Sequence, residues 1–367
     1  MVRRRVFAIA LACCAVLTVW STPPLGASAD TLPERLTDQA FWALSEQLSE
    51  PDGYFRSDNL LSNELYFPEI LDSLIERVPA GGVYLGVGPE QNFSYISAVR
   101  PRMAFITDVR RGNLHLQLMY KALFELSADR AEFVSRLFSK PRPLHLTGDS
   151  SIRDIMDAYW SADTSARTVF DQNVKAAQDH LTRTRAIPLA ADDLAGIADV
   201  YGAFYWFGPS ITYNSSTNNG FGRTNMANYY QLMLTTDARG VVRSFLASES
   251  SFRILKDLHE RNLIVPVVGD FGGPRALRAV GAWVRERGVT VSMFYLSNVE
   301  QYLRQQGTES AFCASVASMP LAVGSTFVRS QSGGGGFRNM LGNMTTETAP
   351  CLDHPLSVPP AAAGQSR

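Results

Sequence analysis

Hydrophobic positions change their period several times along this chain, and each change marks an element. Leu36, Ala40, Phe41, Leu44 and Leu48 fall on one face at helical spacing, which predicts a helix over residues 33–48. A second helix is expected over 67–77, stopped by Pro79-Ala80-Gly81-Gly82. The run Val83-Tyr84-Leu85-Gly86-Val87 then abandons periodicity, as a central parallel strand covered on both faces does. Residues 103–107, 263–268 and 289–295 repeat that unbroken apolar pattern, and the shorter runs 143–146 and 325–328 are further strand candidates. Helices are predicted over 92–99, 114–126, 128–138, 224–233, 250–261 and 273–287. Strands alternating with helices imply βαβ units with right-handed crossovers. The predicted fold class is α/β, a mostly parallel sheet flanked by helices.

Boundaries follow from the same pattern. Residues 30–80 read as an N-terminal helical segment and 81–330 as the α/β domain. Within it, 151–203 is helical and polar-faced without a strand pattern, which marks a helical insertion. The aromatic run from Phe204 to Phe207 is expected to be core. Gly333 to Gly336 and the proline-rich stretch beyond predict a loosely ordered tail over 331–367.

The first 29 residues have a different character. Arg3, Arg4 and Arg5 precede an apolar run of 15 residues from Val6 to Trp20, and Ala27-Ser28-Ala29 supplies a small-x-small cleavage site. This predicts a signal peptide over 1–29, cut before Asp30. The run is shorter than the roughly 20 residues that a membrane span needs, so none is expected after cleavage. Three arginines suit the general secretion route or the twin-arginine route equally. The mature chain is thus expected in the periplasm or the medium. It keeps two cysteines, Cys313 and Cys351, which in an oxidising compartment are expected to pair, the alternative being two free thiols. A loop of that length would stabilise the fold by about 4 kcal/mol in the chain-entropy model. No cysteine or histidine spacing suggests a metal site.

Composition narrows the picture further. Hydrophobic residues are 46% and charged residues 19% of the chain, which supports a sizeable core and excludes disorder. Basic and acidic side chains balance at 34 and 35, for a net charge of −1, so non-specific binding to nucleic-acid phosphates is excluded. A small molecule is the expected class of partner, and no protein partner is indicated.

Candidate chemistry gathers at strand ends. Gly86-Val87-Gly88-Pro89-Glu90 follows one predicted strand and precedes a helix at Asn92, a place where glycines let backbone approach a ligand. Asp108 ends the next strand 20 residues after Gly88, a separation that suits a carboxylate receiving ribose hydroxyls. The alternatives are a turn that only packs a helix on the sheet, and a salt bridge from Asp108 to Arg110 or Arg111. Asp270, beside Gly269 and Gly272, ends a third strand, and Asn298, Glu300 and Tyr302 follow a fourth. The five histidines are scattered, and no Gly-x-Ser-x-Gly elbow occurs.

On these residues the chain resembles the S-adenosylmethionine-dependent methyltransferase fold over residues 83–298, making the predicted sheet Rossmann-like. The stretches 86–93, 267–272 and 295–302 also resemble an uncharacterised bacterial family with that fold. The resemblance implies that Gly86 and Gly88 face a cofactor's methionine portion and Asp108 its ribose. The chain departs from the pattern in three places. Glu90 stands where a third glycine is usual and Tyr84 where an acid is usual. After Val268 comes Gly269-Asp270-Phe271-Gly272 instead of an Asn-Pro-Pro-Tyr type signature. A Glu90 carboxylate would repel a cofactor carboxylate unless Arg110 or Arg111 compensated.

Three functions therefore stand open. One is a protein that binds an S-adenosylmethionine-like or nucleotide-like molecule through Gly86, Gly88, Glu90, Asn92, Asp108, Arg110, Asp270 and Asn298. Another is a non-catalytic exported module that kept the fold for another ligand or partner. The third is an enzyme using the carboxylates of Glu90, Asp108 and Asp270.

Overall fold

A computed structural model describes residues 30–164, 166–215, 226–333 and 336–351. The predicted signal peptide lies outside the described residues. Helices α1 (Asp38–Leu48) and α2 (Leu71–Arg77) lead into β1 (Val83–Val87), α3 (Gln91–Val99), β2 (Met103–Asp108), α4 (Arg111–Leu126) and α5 (Arg130–Leu137). The next four helices are α6 (Ile152–Ser161), α7 (Arg167–Asp179), α8 (Ala191–Phe207) and α9 (Tyr229–Leu234). The chain then alternates through α10 (Glu249–Glu260), β3 (Ile264–Val268), α11 (Ala276–Glu286) and β4 (Val291–Ser297). It ends with α12 (Val299–Gln306), α13 (Glu309–Ala317), β5 (Leu321–Gly333), β6 (Gly336–Asn343) and α14 (Met344–Thr348).

The strands form a single six-stranded sheet in the order β3-β2-β1-β4-β5-β6. β1 pairs in parallel with β2 and β4, β2 with β3, and β4 with β5, whereas β6 is antiparallel to β5. This is a Rossmann-like α/β fold with a reversed final strand. All residues of β2 and β3 are buried, and so are the first four of β1, which is why these strands read as unbroken apolar runs.

β3 carries Pro266 in mid-strand, a residue that cannot complete a ladder on both sides and belongs at an edge. α1 covers that edge. Ser45 Oγ donates to Pro266 O at 2.6 Å, and Val268 N donates to Ser49 Oγ at 2.9 Å. The edge backbone groups are thus satisfied by a helix, and no further strand can dock there. α8 packs on α4, where Arg111 Nε reaches Asp193 at 2.7 Å and His115 Nε2 lies 2.9 Å from the same carboxylate.

Several expectations are corrected. Residues 143–146 form a turn, not a strand: Pro141 and Pro143 offer no N–H groups, and Arg142 binds Leu146 O at 2.9 Å. The helix expected over 224–233 begins at Tyr229 behind an Asn228 cap; residues 224 and 225 lie outside the described residues. Phe204 and Tyr205 are buried as expected, whereas Trp206 and Phe207 are exposed. The loose tail is corrected over part of its range: β5 runs to Gly333 and pairs with β6 from Gly336, while residues 334, 335 and 352–367 lie outside the described residues. Glycine runs serve turns as readily as linkers, and composition does not separate the two. Cys313 and Cys351 are bridged, their Cα atoms 5.9 Å apart, tying α13 to the end of the described chain. Among the described residues no helix is long and apolar enough to cross a membrane.

Candidate functional site

Parallel strands release their following loops at one edge of a sheet. Here Gly88 and Pro89 after β1, Asp108 and Val109 at the end of β2, Asp270 and Phe271 after β3, and Ser297 and Asn298 at the end of β4 line one cavity of about 1150 Å³. It lies where the strand order reverses around β1, the place at which open α/β sheets form a crevice. The opposite wall is the segment 50–63. Backbone bonds hold this segment, Glu50 N to Val268 O and Gly53 N to Val109 O, each at 2.8 Å. Ser57 Oγ donates to Asn214 Oδ1 at 2.5 Å, which joins that wall to Tyr213 and Asn214.

Four of the eight residues predicted to bind a ligand share the cavity wall, Gly88, Asp108, Asp270 and Asn298, as does Tyr302. The others turn away from it. A Cβ on Gly86 would stand 1.8 Å from Asn92 Oδ1 and 2.7 Å from Tyr84, so this glycine makes room for protein, not for a ligand. Asn92 is fully buried. Its Nδ2 donates to the carbonyls of Val87 (2.9 Å) and Pro89 (2.6 Å), and its Oδ1 accepts from Tyr84 at 2.8 Å. Gly88 takes φ +72°, a left-handed conformation natural to glycine, and its carbonyl accepts from Gln117 at 3.0 Å. The glycine turn is therefore braced from behind.

Glu90 is buried at the start of α3, where its carboxyl accepts from Ser62 N at 3.2 Å and from its own N–H. Burial pushes its pKa up to about 8; those two N–H groups oppose the rise, and Glu64 adds to it. The expected compensation by arginine does not occur. Arg110 folds onto Asp108 through Nε and Nη2, both at 3.2 Å, and onto the Asp58 carbonyl. Arg111 is taken by Asp193 and Glu46. Asp108 thus makes the salt bridge to Arg110 while it also lines the cavity.

Carboxyl groups occupy two helix starts at this rim. Asp52 accepts from Arg111 N at 2.6 Å, at the start of α4. Glu50 accepts from Arg275 N (3.0 Å) and Ala276 N (2.9 Å) at the start of α11, and from Asp270 N at 2.9 Å. Two helix N-termini, those of α4 and α11, thus already hold side-chain carboxyls on N–H groups an anionic ligand would need, whereas Glu90 makes no cap on α3.

One acidic residue escaped the sequence reading. Glu64 is buried behind the cavity wall, with Oε1 accepting from Tyr295 (2.9 Å) and Ser297 (2.6 Å) and Oε2 from Asn339 (2.5 Å). Burial raises its pKa, against the pull of these donors. Its partners come from β4 and β6, so no local spacing announces it. Among the described residues the histidines stay outside the cavity wall: His180 faces Glu125 at 2.6 Å, and burial holds fully buried His259 near pKa 3. Among the described residues no group of three His, Cys, Asp or Glu side chains could hold a metal ion.

Two outcomes are expected. Gly86→Ala should lower unfolding stability by about 1–3 kcal/mol through overpacking, read from denaturant midpoints. Gly112→Ala on α4, with nothing within 4 Å of its added methyl, should be neutral or slightly stabilising. A similar loss in both would exclude the packing role of Gly86. For Glu90, a folded pKa of about 8 against an ordinary 4.5 means that its stabilising contribution is complete below about pH 4.5 and is lost as pH rises through 8. Glu90→Gln, which cannot ionise, should therefore gain on the wild type between pH 5 and pH 8, by about 3 kcal/mol. Parallel melting-temperature profiles for the two proteins would refute this.

No curated protein matches the sequence. The model of a family described as Domain of unknown function (DUF7790) matches residues 55–343, from the cavity's outer wall through the last strand, and the chain belongs to that family.

Proposed function

We propose that the protein is a ligand-binding module whose cavity takes an uncharged or cationic small molecule rich in hydroxyl groups. The filled starts of α4 and α11 carry this reading, because a phosphate or carboxylate there would have to displace Asp52 or Glu50. Charge supports it: Glu50, Asp58, Asp108 and Asp270 line the cavity against Arg56. Phe55, Tyr213, Tyr302 and Phe337 supply aromatic surface for a ring, and Asp270 and Asn298 supply planar acceptors for hydroxyls.

A second reading, an S-adenosylmethionine-like or nucleoside ligand, is favoured by one observation. Gly88 and Asp108 share the wall, the Cβ position of Gly88 lying 3.9 Å from Asp108 Oδ2. Melting temperatures separate the two. Members of a panel of neutral sugars should stabilise the chain, and NAD and ATP should not. Stabilisation by adenosine and S-adenosylmethionine with none by any sugar would favour the second reading and overturn the first.

The mature protein is further inferred to act outside the cytoplasm. The arginine-led apolar segment and the Cys313–Cys351 bridge support export, since disulfides persist in oxidising compartments. Protein recovered from the periplasm or medium should begin at Asp30 by N-terminal sequencing. Retention of Met1 in cytosolic material would refute export.

A further inference from the structure

We propose that Ser297 is a nucleophile for acyl groups, with Glu64 as the base that takes its proton. This rests on the cavity being a ligand site, since Ser297 lines it. Ser297 is the last residue of β4 and has φ +49°, a left-handed conformation that a non-glycine residue adopts only when its surroundings impose it. The register of β4 against β5 breaks between Tyr295 and Ser297, and such an irregularity re-aims a side chain. Two independent backbone features therefore set this hydroxyl at the switch point.

Glu64 receives it. Ser297 Oγ lies 2.6 Å from Glu64 Oε1, and the carboxyl is fixed by Tyr295 on the same oxygen and Asn339 on the other. A hydroxyl with its proton directed at an immobilised buried carboxylate has the geometry of nucleophile and base. Burial also raises the proton affinity of Glu64, which narrows its mismatch with an alcohol. α12 begins two residues later, and its N-cap residue Asn298 makes no side-chain cap, which leaves helix N–H groups beside Ser297 for an acyl oxygen that gains charge.

In the step, Ser297 Oγ forms a bond to the carbonyl carbon of an ester, its proton passes to Glu64, and the carbonyl π pair moves onto oxygen. Collapse of that intermediate breaks the bond to the leaving alkoxide, which takes the proton back from Glu64. Water then releases the acyl group by the same sequence, returning a carboxylic acid and free Ser297. Neither oxidant nor metal is consumed. The substrate class is an ester of an uncharged or cationic alcohol, as the wall chemistry requires.

A small aryl fluorophosphonate tests this on the full chain, since the same attack expels fluoride and leaves phosphorus on the serine. Peptide mapping should find one adduct, on Ser297, and hydrolysis of 4-nitrophenyl acetate should cease after labelling. Glu64→Gln keeps an acceptor for Ser297 and Tyr295, and its new N–H group can meet Asn339 Oδ1, which lacks a partner. That variant should melt within a few degrees of the wild type yet label at least about 100-fold more slowly. Absence of an adduct on wild-type Ser297 overturns the inference without recourse to any variant. Labelling of folded Glu64→Gln at the wild-type rate overturns the role of Glu64. Neutral-ligand binding without an adduct would refute this inference alone, and an adduct without neutral-ligand binding would refute the ligand reading alone.

Discussion

Parallel pairing of β1 with β2 on one side and β4 on the other is the constraint on which the molecule depends. A strand bonded on both edges and covered on both faces cannot slip, because a shift of one residue would exchange the faces of every side chain. With β1 to β5 parallel, the loops after these strands leave at a common edge. The chain steps outward from β1 to β2 and β3, then returns across α11 to β4 on the far side of β1. A crevice between the two directions is a result of topology, whatever side chains line it.

Side chains then decide what the crevice can accept. In dinucleotide-binding sheets the first helix N-terminus is left open to a phosphate. Here Glu90 sits at that turn on Ser62 N and its own N–H, and Glu50 and Asp52 close the starts of α11 and α4. Those last two carboxyls serve the fold as well, because they belong to the outer wall and reach helices on the sheet side. The contacts that assemble the cavity therefore also take N–H groups that an anion would use at α4 and α11. Asp108 is similarly doubly engaged, lining the cavity while it holds Arg110.

The C-terminal hairpin is part of the same construction. β6 brings Asn339 to Glu64, and the Cys313–Cys351 bridge holds the end of the chain against α13. Glu64 thus links the outer wall, β4 and β6 through one buried carboxyl. Leaving such a group without donors would cost several kcal/mol, so its three partners are a requirement of its burial. The conformation of Ser297 is set within this network.

By itself the sequence determined the class of the fold and the location of the crevice. Unbroken apolar runs at β1, β2, β3 and β4 reflect burial on both faces, a property each segment carries without reference to its neighbours. Gly88, Asp108, Asp270 and Asn298 were legible because strand ends are local features. Strand order was not legible. The strand ending at Val268 lies at the edge of the sheet, whereas β4 flanks β1 opposite β2 and brings Ser297 and Asn298 to the switch point. Tertiary structure alone turned Asn92 and Glu90 inward, paired Arg110 with Asp108, and made strands of the glycine-rich tail. It also joined Glu64 to partners more than 230 residues away. Periodicity reports what a segment buries. It carries no record of which distant donor will meet a buried carboxyl, since that is fixed only when the packed elements leave the group no water.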